Sequence, residues 1–363
     1  MLFSQAEIEV LALCAWCKDL GKNIGAELLP PEILRCLCAL GLLRASRCGL
    51  SYRATVLGYA LCRRAGFSVQ PEKYYRSNGP ALARRLETAE VTAFFWRYGV
   101  GMLCRAETGN TRFLPSFELR RKTAANILGG TRMTGFYYAG HHTFVPYFLS
   151  PQNSGIYADV ERRTFGTESL SCEKEPFVLY TGHGTPAQLL ETLYRPKSTN
   201  KRDTTDSYRS AVGKFACDTA LISLDETGWR QLRILDIPEY RAKMLRCILG
   251  RDYAPADAPP VDGKSQKTGE RFIIGFDNNT VRWERALEKG GQLHLVLLKP
   301  HTDTVRAHFG GKNVTLHPVD AVDVERALGI SAPLPVIANT PFVTGKGECL
   351  DVSVIREIEK AGG

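Results

Sequence analysis

The stretch Leu40 to Phe67, LGLLRASRCGLSYRATVLGYALCRRAGF, limits the fold more tightly than any other part of this chain. It reads as a helix end, a short hairpin and a second helix. Leu42, Leu43 and Leu50 to Thr55 provide two short strand pieces around a tip at Arg47-Cys48-Gly49, where glycine is free to take positive φ. Thr55 is a good N-cap for a helix through Tyr59, Leu61 and Cys62, and Gly66 stands where a glycine ends a helix. Arg44, Arg47, Arg53, Arg63 and Arg64 decorate the unit and no acid interrupts them.

Charge is distributed unevenly around this stretch. Residues 1–130 hold 18 Lys and Arg against 10 Asp and Glu, whereas residues 131–363 hold 29 against 28, so nearly all of the net +9 lies in the first part. A polyanion partner is the physical inference, through phosphate neutralisation and counterion release; with the hairpin read as a DNA-binding wing, the expected polyanion is double-stranded DNA. No run of about 18 apolar residues exists, which predicts no membrane span. The start, MLFSQAEIEVLALCAW, has acids and no basic segment, as expected of a cytoplasmic chain without a signal peptide. Eleven cysteines, odd in number and scattered, are expected to be reduced thiols.

At 363 residues, two domains are the natural division. Ser4 to Glu7 forms a capping box that opens a helix through Trp16, broken by Gly21 and Gly25. Pro30-Pro31 opens a second helix over 32–43, whose polar residues are only Glu32, Arg35 and Arg44. Major-groove readers usually direct Arg, Asn, Gln or Lys at base edges, so backbone contact by the hairpin is the better expectation. Residues 68–130 form a basic connector with a long helix at Pro80 to Tyr98 carrying Arg84, Arg85 and Arg97, and a cluster at Arg120-Arg121-Lys122. From 131 to 330 strands alternate with helices, which predicts a mixed-sheet α/β domain. Met133 to Ala139 and Thr143 to Leu149 form a hairpin there, Tyr253 to Thr268 a Pro- and Asp-rich linker, and 331–363 a tail. No internal repeat stands out.

The order Tyr52, Thr55, Gly58, Leu61 resembles the wing and closing helix of winged helix-turn-helix domains. The alternative is a hairpin and helix used for packing or dimerisation. The whole order, with Leu82 to Glu90, Arg132 to Tyr138 and Thr219 to Leu235, resembles the replication-relaxation family of plasmids and conjugative elements in its Firmicutes form. The resemblance implies an α+β or α/β chain, an N-terminal winged helix-turn-helix before a mixed-sheet domain. It implies DNA binding in replication, relaxation, mobilisation or transcriptional control, without a cofactor. The candidate DNA contacts are Arg35, Arg44, Arg47, Arg53, Arg63, Arg64, Arg84 and Arg85. The α/β domain would then serve a homodimer or a partner protein.

Other motifs offer competing chemistry. The family's C-terminal domain is sometimes likened to restriction endonucleases, and Asp159 and Glu161 are the nearest approach to such a metal site, without its lysine. A third reading is a protein-interaction adaptor that no longer binds DNA. Cys14-x-x-Cys17 and Cys36-x-Cys38 have the number of thiols for zinc, but among leucine and alanine they read as small buried hydrophobes. His141-His142 beside Tyr137-Tyr138 lacks the His-x-His of a relaxase-type cluster. Gly182-His183-Gly184-Thr185, between a strand and a helix, lacks a P-loop lysine and reads as a turn, as does Gly345-Lys346-Gly347.

Overall fold

The computed structural model describes residues 2–69, 79–100, 112–118, 128, 131–150, 155–165, 176–196, 206–215, 217–309, 312–335 and 339–362. The chain is of mixed α and β structure, with three sheets among the described residues, and it divides into two compact units. The first joins residues 1–115 to 334–363, and the second is 116–333. Composition placed boundaries at 67, 130 and 330, because charge and turn content do not report which segments pack together.

The first unit is built around α1 (Gln5–Cys17), whose eleven buried residues leave hardly any solvent face. The Ser4–Glu7 capping box opens it, with the Glu7 amide bonded to Ser4 Oγ at 3.2 Å. Then follow β1 (Leu20–Gly21), α2 (Lys22–Leu28) and α3 (Pro31–Ala39), so Gly25 lies inside a short helix rather than breaking one. β2 (Leu43–Ala45) and β3 (Ser51–Ala54) form the hairpin, with β3 central in the order β1-β3-β2 and Gly49 at φ +72° in the turn. Thr55 caps α4 (Val56–Arg64) through the Gly58 amide at 3.1 Å. The connector contains α5 (Gly79–Arg97) and β4 (Arg112–Pro115), joined by stacked Phe95 and Phe113 at 4.5 Å. Arg120-Arg121-Lys122 lies outside the described residues.

The expected tail belongs to this unit. The Phe3 amide bonds to the Leu350 carbonyl at 2.9 Å and the Phe342 amide to the Phe3 carbonyl at 2.8 Å. Phe342 and Leu350 are buried, and α14 (Ser353–Gly362) packs against α4.

The second unit contains two sheets. In the first, β5 (Gly135–Tyr138) pairs antiparallel with β6 (Thr143–Phe148). β6, β7 (Pro176–Gly182) and β8 (Thr219–Ser223) continue in parallel. Their connections hold α6 (Ala158–Phe165), then α7 (Pro186–Tyr194) and α8 (Tyr208–Val212); α9 (Glu226–Leu235) follows β8. After α10 (Tyr240–Leu249), the expected linker at 253–268 instead supplies β9 (Tyr253–Pro255) and β10 (Gly263–Ser265). These pair antiparallel with one another and with β11 (Arg271–Ile274). β11, β12 (Leu293–Leu298) and β13 (Val314–Val319) then run parallel, connected by α11 (Thr280–Glu288) and α12 (Thr302–Phe309) and followed by α13 (Ala321–Ala327).

The two sheets therefore repeat one plan. An antiparallel hairpin leads into three parallel strands with helical crossovers, and a closing helix follows. The closing helices are joined by Arg230 of α9 to Glu325 of α13 at 2.7 Å. Below the second sheet, Ile273, Leu293, Leu295 and Leu297 pack on Trp283 of α11 and Phe309 of α12.

A candidate nucleic-acid interface

The charge of the first unit is organised from beneath the hairpin. Asp19, just past α1, is wholly buried, and its carboxylate accepts from Ser51 Oγ at 2.7 Å and Arg53 Nε at 2.8 Å. Arg85 Nε of α5 reaches its other oxygen at 3.1 Å. Arg53 and Arg85 are only 14% and 21% exposed at the side chain, so both are committed inward. A charge taken out of water needs a partner of this kind, because its desolvation costs several kcal/mol. The acid that the stretch 40–67 lacks in sequence comes from 34 residues before Arg53.

The remaining candidates separate by what they touch. Arg44 on β2, Arg47 at the turn and Arg63 on α4 are exposed, and among the described residues none of the three is in an ion pair or side-chain hydrogen bond. Arg35 faces Glu32 at 3.3 Å and Arg64 faces Glu348 at 3.6 Å, both exposed pairs of small energetic weight. Arg84 is half-buried on α5. Arg44 stands directly across the ladder from Arg53, an unfavourable juxtaposition of like charge that Asp19 offsets. The outward face of α3 carries Glu32, Arg35 and Ala39, while Leu34 and Leu37 are buried. That face offers one neutralised pair and little with which to read base edges.

The competing motifs resolve into local structure. Asp159 and Glu161 are two positions apart on α6 and so point to different sides of the helix. Asp159 is exposed beside Arg162 at 3.3 Å. Glu161 is buried, accepting from Tyr147 Oη at 2.9 Å and from the Arg132 amide, so the two acids are not brought together. Among the described residues no three His, Cys, Asp or Glu side chains gather as a metal site. The nine described cysteines are free thiols, with Cys14 and Cys17 buried and Cys36 and Cys38 half-buried. Burial pushes the Cys14 and Cys38 thiols up, away from the thiolate that a metal needs.

The amides of Gly140, His141 and His142 all donate to the carboxylate of Asp236, at 2.9, 3.0 and 3.0 Å. This pairing explains the two histidines as turn residues. Thr185 caps α7 in a box with Gln188, and Gly184 sits at φ +105°, so that segment is also a helix start. Beside Asp236, a cavity of about 350 Å³ opens between Tyr137, Trp229, Arg233 and Ile330.

No family model, curated protein or solved structure matches this chain. Asp19 was not legible as a site residue, since a single acid at a helix end carries no motif.

Proposed function

We propose that this chain is a cytoplasmic DNA-binding protein of a plasmid or conjugative element, acting in replication, relaxation, mobilisation or transcriptional control. Its first unit works as a winged helix-turn-helix whose hairpin is the wing. The second unit assembles a homodimer or receives a partner protein. The observation that carries this reading is the trio Arg44, Arg47 and Arg63 on the hairpin and the helix after it, exposed and without an acidic partner among the described residues. The sparse outward face of α3 favours contact with phosphates over reading of bases.

Fluorescence anisotropy of the full chain on random duplex DNA tests the proposal. Affinity is expected to fall steeply with salt, each phosphate contact adding about −0.9 to the slope of log affinity against log salt. Arg44→Ala with Arg47→Ala should flatten that slope by up to about two units and weaken all sequences alike. Arg53→Ala should leave the slope in place and lower thermal stability, because its partner is Asp19. A full chain that ignores duplex DNA even at low salt would overturn the proposal and favour the adaptor reading.

A further inference from the structure

The cavity beside Asp236 belongs to the second unit, and side chains from three parts of that unit wall it. Tyr137 comes from β5, Trp229, Leu232, Arg233 and Asp236 from α9 and its end, and Ile330 from the segment after α13. The Tyr137 and Trp229 rings stand 6.1 Å apart at 45°, and both residues are buried. A volume of about 350 Å³ with aromatic walls suits a small planar ligand.

Two groups in the lining retain hydrogen-bonding capacity. Arg233, 14% exposed at the side chain, donates to the Ala332 carbonyl at 2.5 Å and faces Glu325 at 3.5 Å. A guanidinium has five N–H groups, so most of them are left without an acceptor among the described residues. On Asp236, Oδ1 accepts from the His141 and His142 amides and Oδ2 from the Gly140 amide alone, so Oδ2 keeps one acceptor position. The two side chains are three residues apart at the end of α9 and so lie on one side of it.

These groups set the charge and the edge of the occupant. A cation would meet Arg233 and an anion would meet Asp236, so the part that enters is neutral. It presents an acceptor to Arg233 and, beside it, a donor to Asp236. We propose that the cavity binds an adenine ring, with N7 accepting from Arg233, the N6 amino group donating to Asp236, and the ring lying against Tyr137 and Trp229. Adenine carries this acceptor and donor side by side, whereas the same edge of guanine carries two acceptors. A free adenine nucleoside and an unpaired adenine of a DNA strand present the same edge.

The test uses the full chain labelled with 5-fluorotryptophan and read by fluorine NMR. Of its four tryptophan signals, that of Trp229 is assigned by its loss in Trp229→Phe, or by elimination from the other three. Adenosine should move the Trp229 signal saturably. Inosine, with an oxygen in place of the amino group, should bind at least about fivefold more weakly, because Asp236 then faces an acceptor. Arg233→Gln should weaken adenosine at least about tenfold. That variant keeps Glu325 on Arg230 at 2.7 Å, and with it the link between α9 and α13. Single-stranded oligo(dA) that displaces adenosine assigns the site to unpaired adenines of a strand, and failure to displace assigns it to the free nucleoside; both support the site. No saturable shift of the Trp229 signal at millimolar adenosine overturns it, as does a shift confined to other tryptophans. Equal affinity for adenosine and inosine, or unchanged affinity in folded Arg233→Gln, overturns it as well. If Arg233→Gln fails to fold, the comparison of adenosine with inosine on the unaltered chain decides the matter.

Discussion

Asp19 determines which arginines of the first unit face solvent. By holding Arg53 and Arg85 it turns two cations inward, and Arg44 and Arg47 stay outside on the same hairpin. Positions six apart in sequence, 47 and 53, therefore differ in kind. A second buried group acts on stability. His301, just past β12, lies with Nε2 3.4 Å from Asn278 Nδ2, and burial pushes its pKa from the ordinary 6.5 down to about 4. The folded chain keeps this ring neutral, while the unfolded chain takes up a proton below about pH 6.5. Stability from this group is complete above that value and is lost as pH falls from 6.5 towards 4. Urea unfolding at pH 7 and pH 5 should differ by about 2 kcal/mol more in the unaltered chain than in His301→Asn. An equal difference in both would place the acid sensitivity elsewhere.

Two helices begin by the same device. Thr55 caps α4 through the Gly58 amide, and Asp225 caps α9 through the Gly228 amide at 2.9 Å. In both, a glycine three residues after the cap lets the first turn lie against backbone that precedes it. A Cβ at 58 would stand 2.3 Å from the Leu42 carbonyl oxygen, and one at 228 would stand 1.8 Å from that of Ser223. Neither oxygen can turn aside as a flexible side chain would. Gly228→Ala should therefore destabilise the chain by about 3 kcal/mol or more, since α9 must move off β8. Chemical denaturation checks this, and a loss below about 1 kcal/mol would mean that the helix start shifts easily.

The first unit is closed by residues far apart in the chain. Phe342, Leu350 and Ile355 are buried within it, and Phe67 meets Phe342 at a ring separation of 6.3 Å. A chain ending at Pro333 would expose this apolar surface and strip Phe3 and Gln5 of backbone partners at 2.9, 2.8 and 2.7 Å. Hydrogen exchange should then show α4 losing protection while β11 and β12 keep theirs. Retained protection of α4 would show that the C-terminal segment is dispensable. The second unit, in contrast, is held by polar groups at the junction of its two halves. The Leu221 amide of β8 bonds to the Asp277 carbonyl after β11 at 2.8 Å. The buried Asp277 carboxylate receives Arg241 at 2.9 Å and Arg282 at 3.1 Å. Among the described residues no helix is long and apolar enough to cross a membrane.

What the sequence determined by itself was local. The capping box at Ser4, the hairpin around Gly49, the Thr55 cap and the alternation of strands and helices from 131 onward depend on neighbours a few positions apart. Hydrogen-bond geometry and side-chain periodicity at that range are written directly into residue order. Only the tertiary structure decided the rest. It carried 334–363 back to the N-terminus, turned a Pro-rich linker into two strands and gave the two sheets one plan where no sequence repeat is visible. It also chose Asp19 as the partner of Arg53 and Arg85. Those outcomes depend on which apolar faces close on one another and which buried charges then need a counter-charge. Such demands are met by residues brought together from 34 to 66 positions apart in the side-chain contacts, and by hundreds at the closure of the first unit.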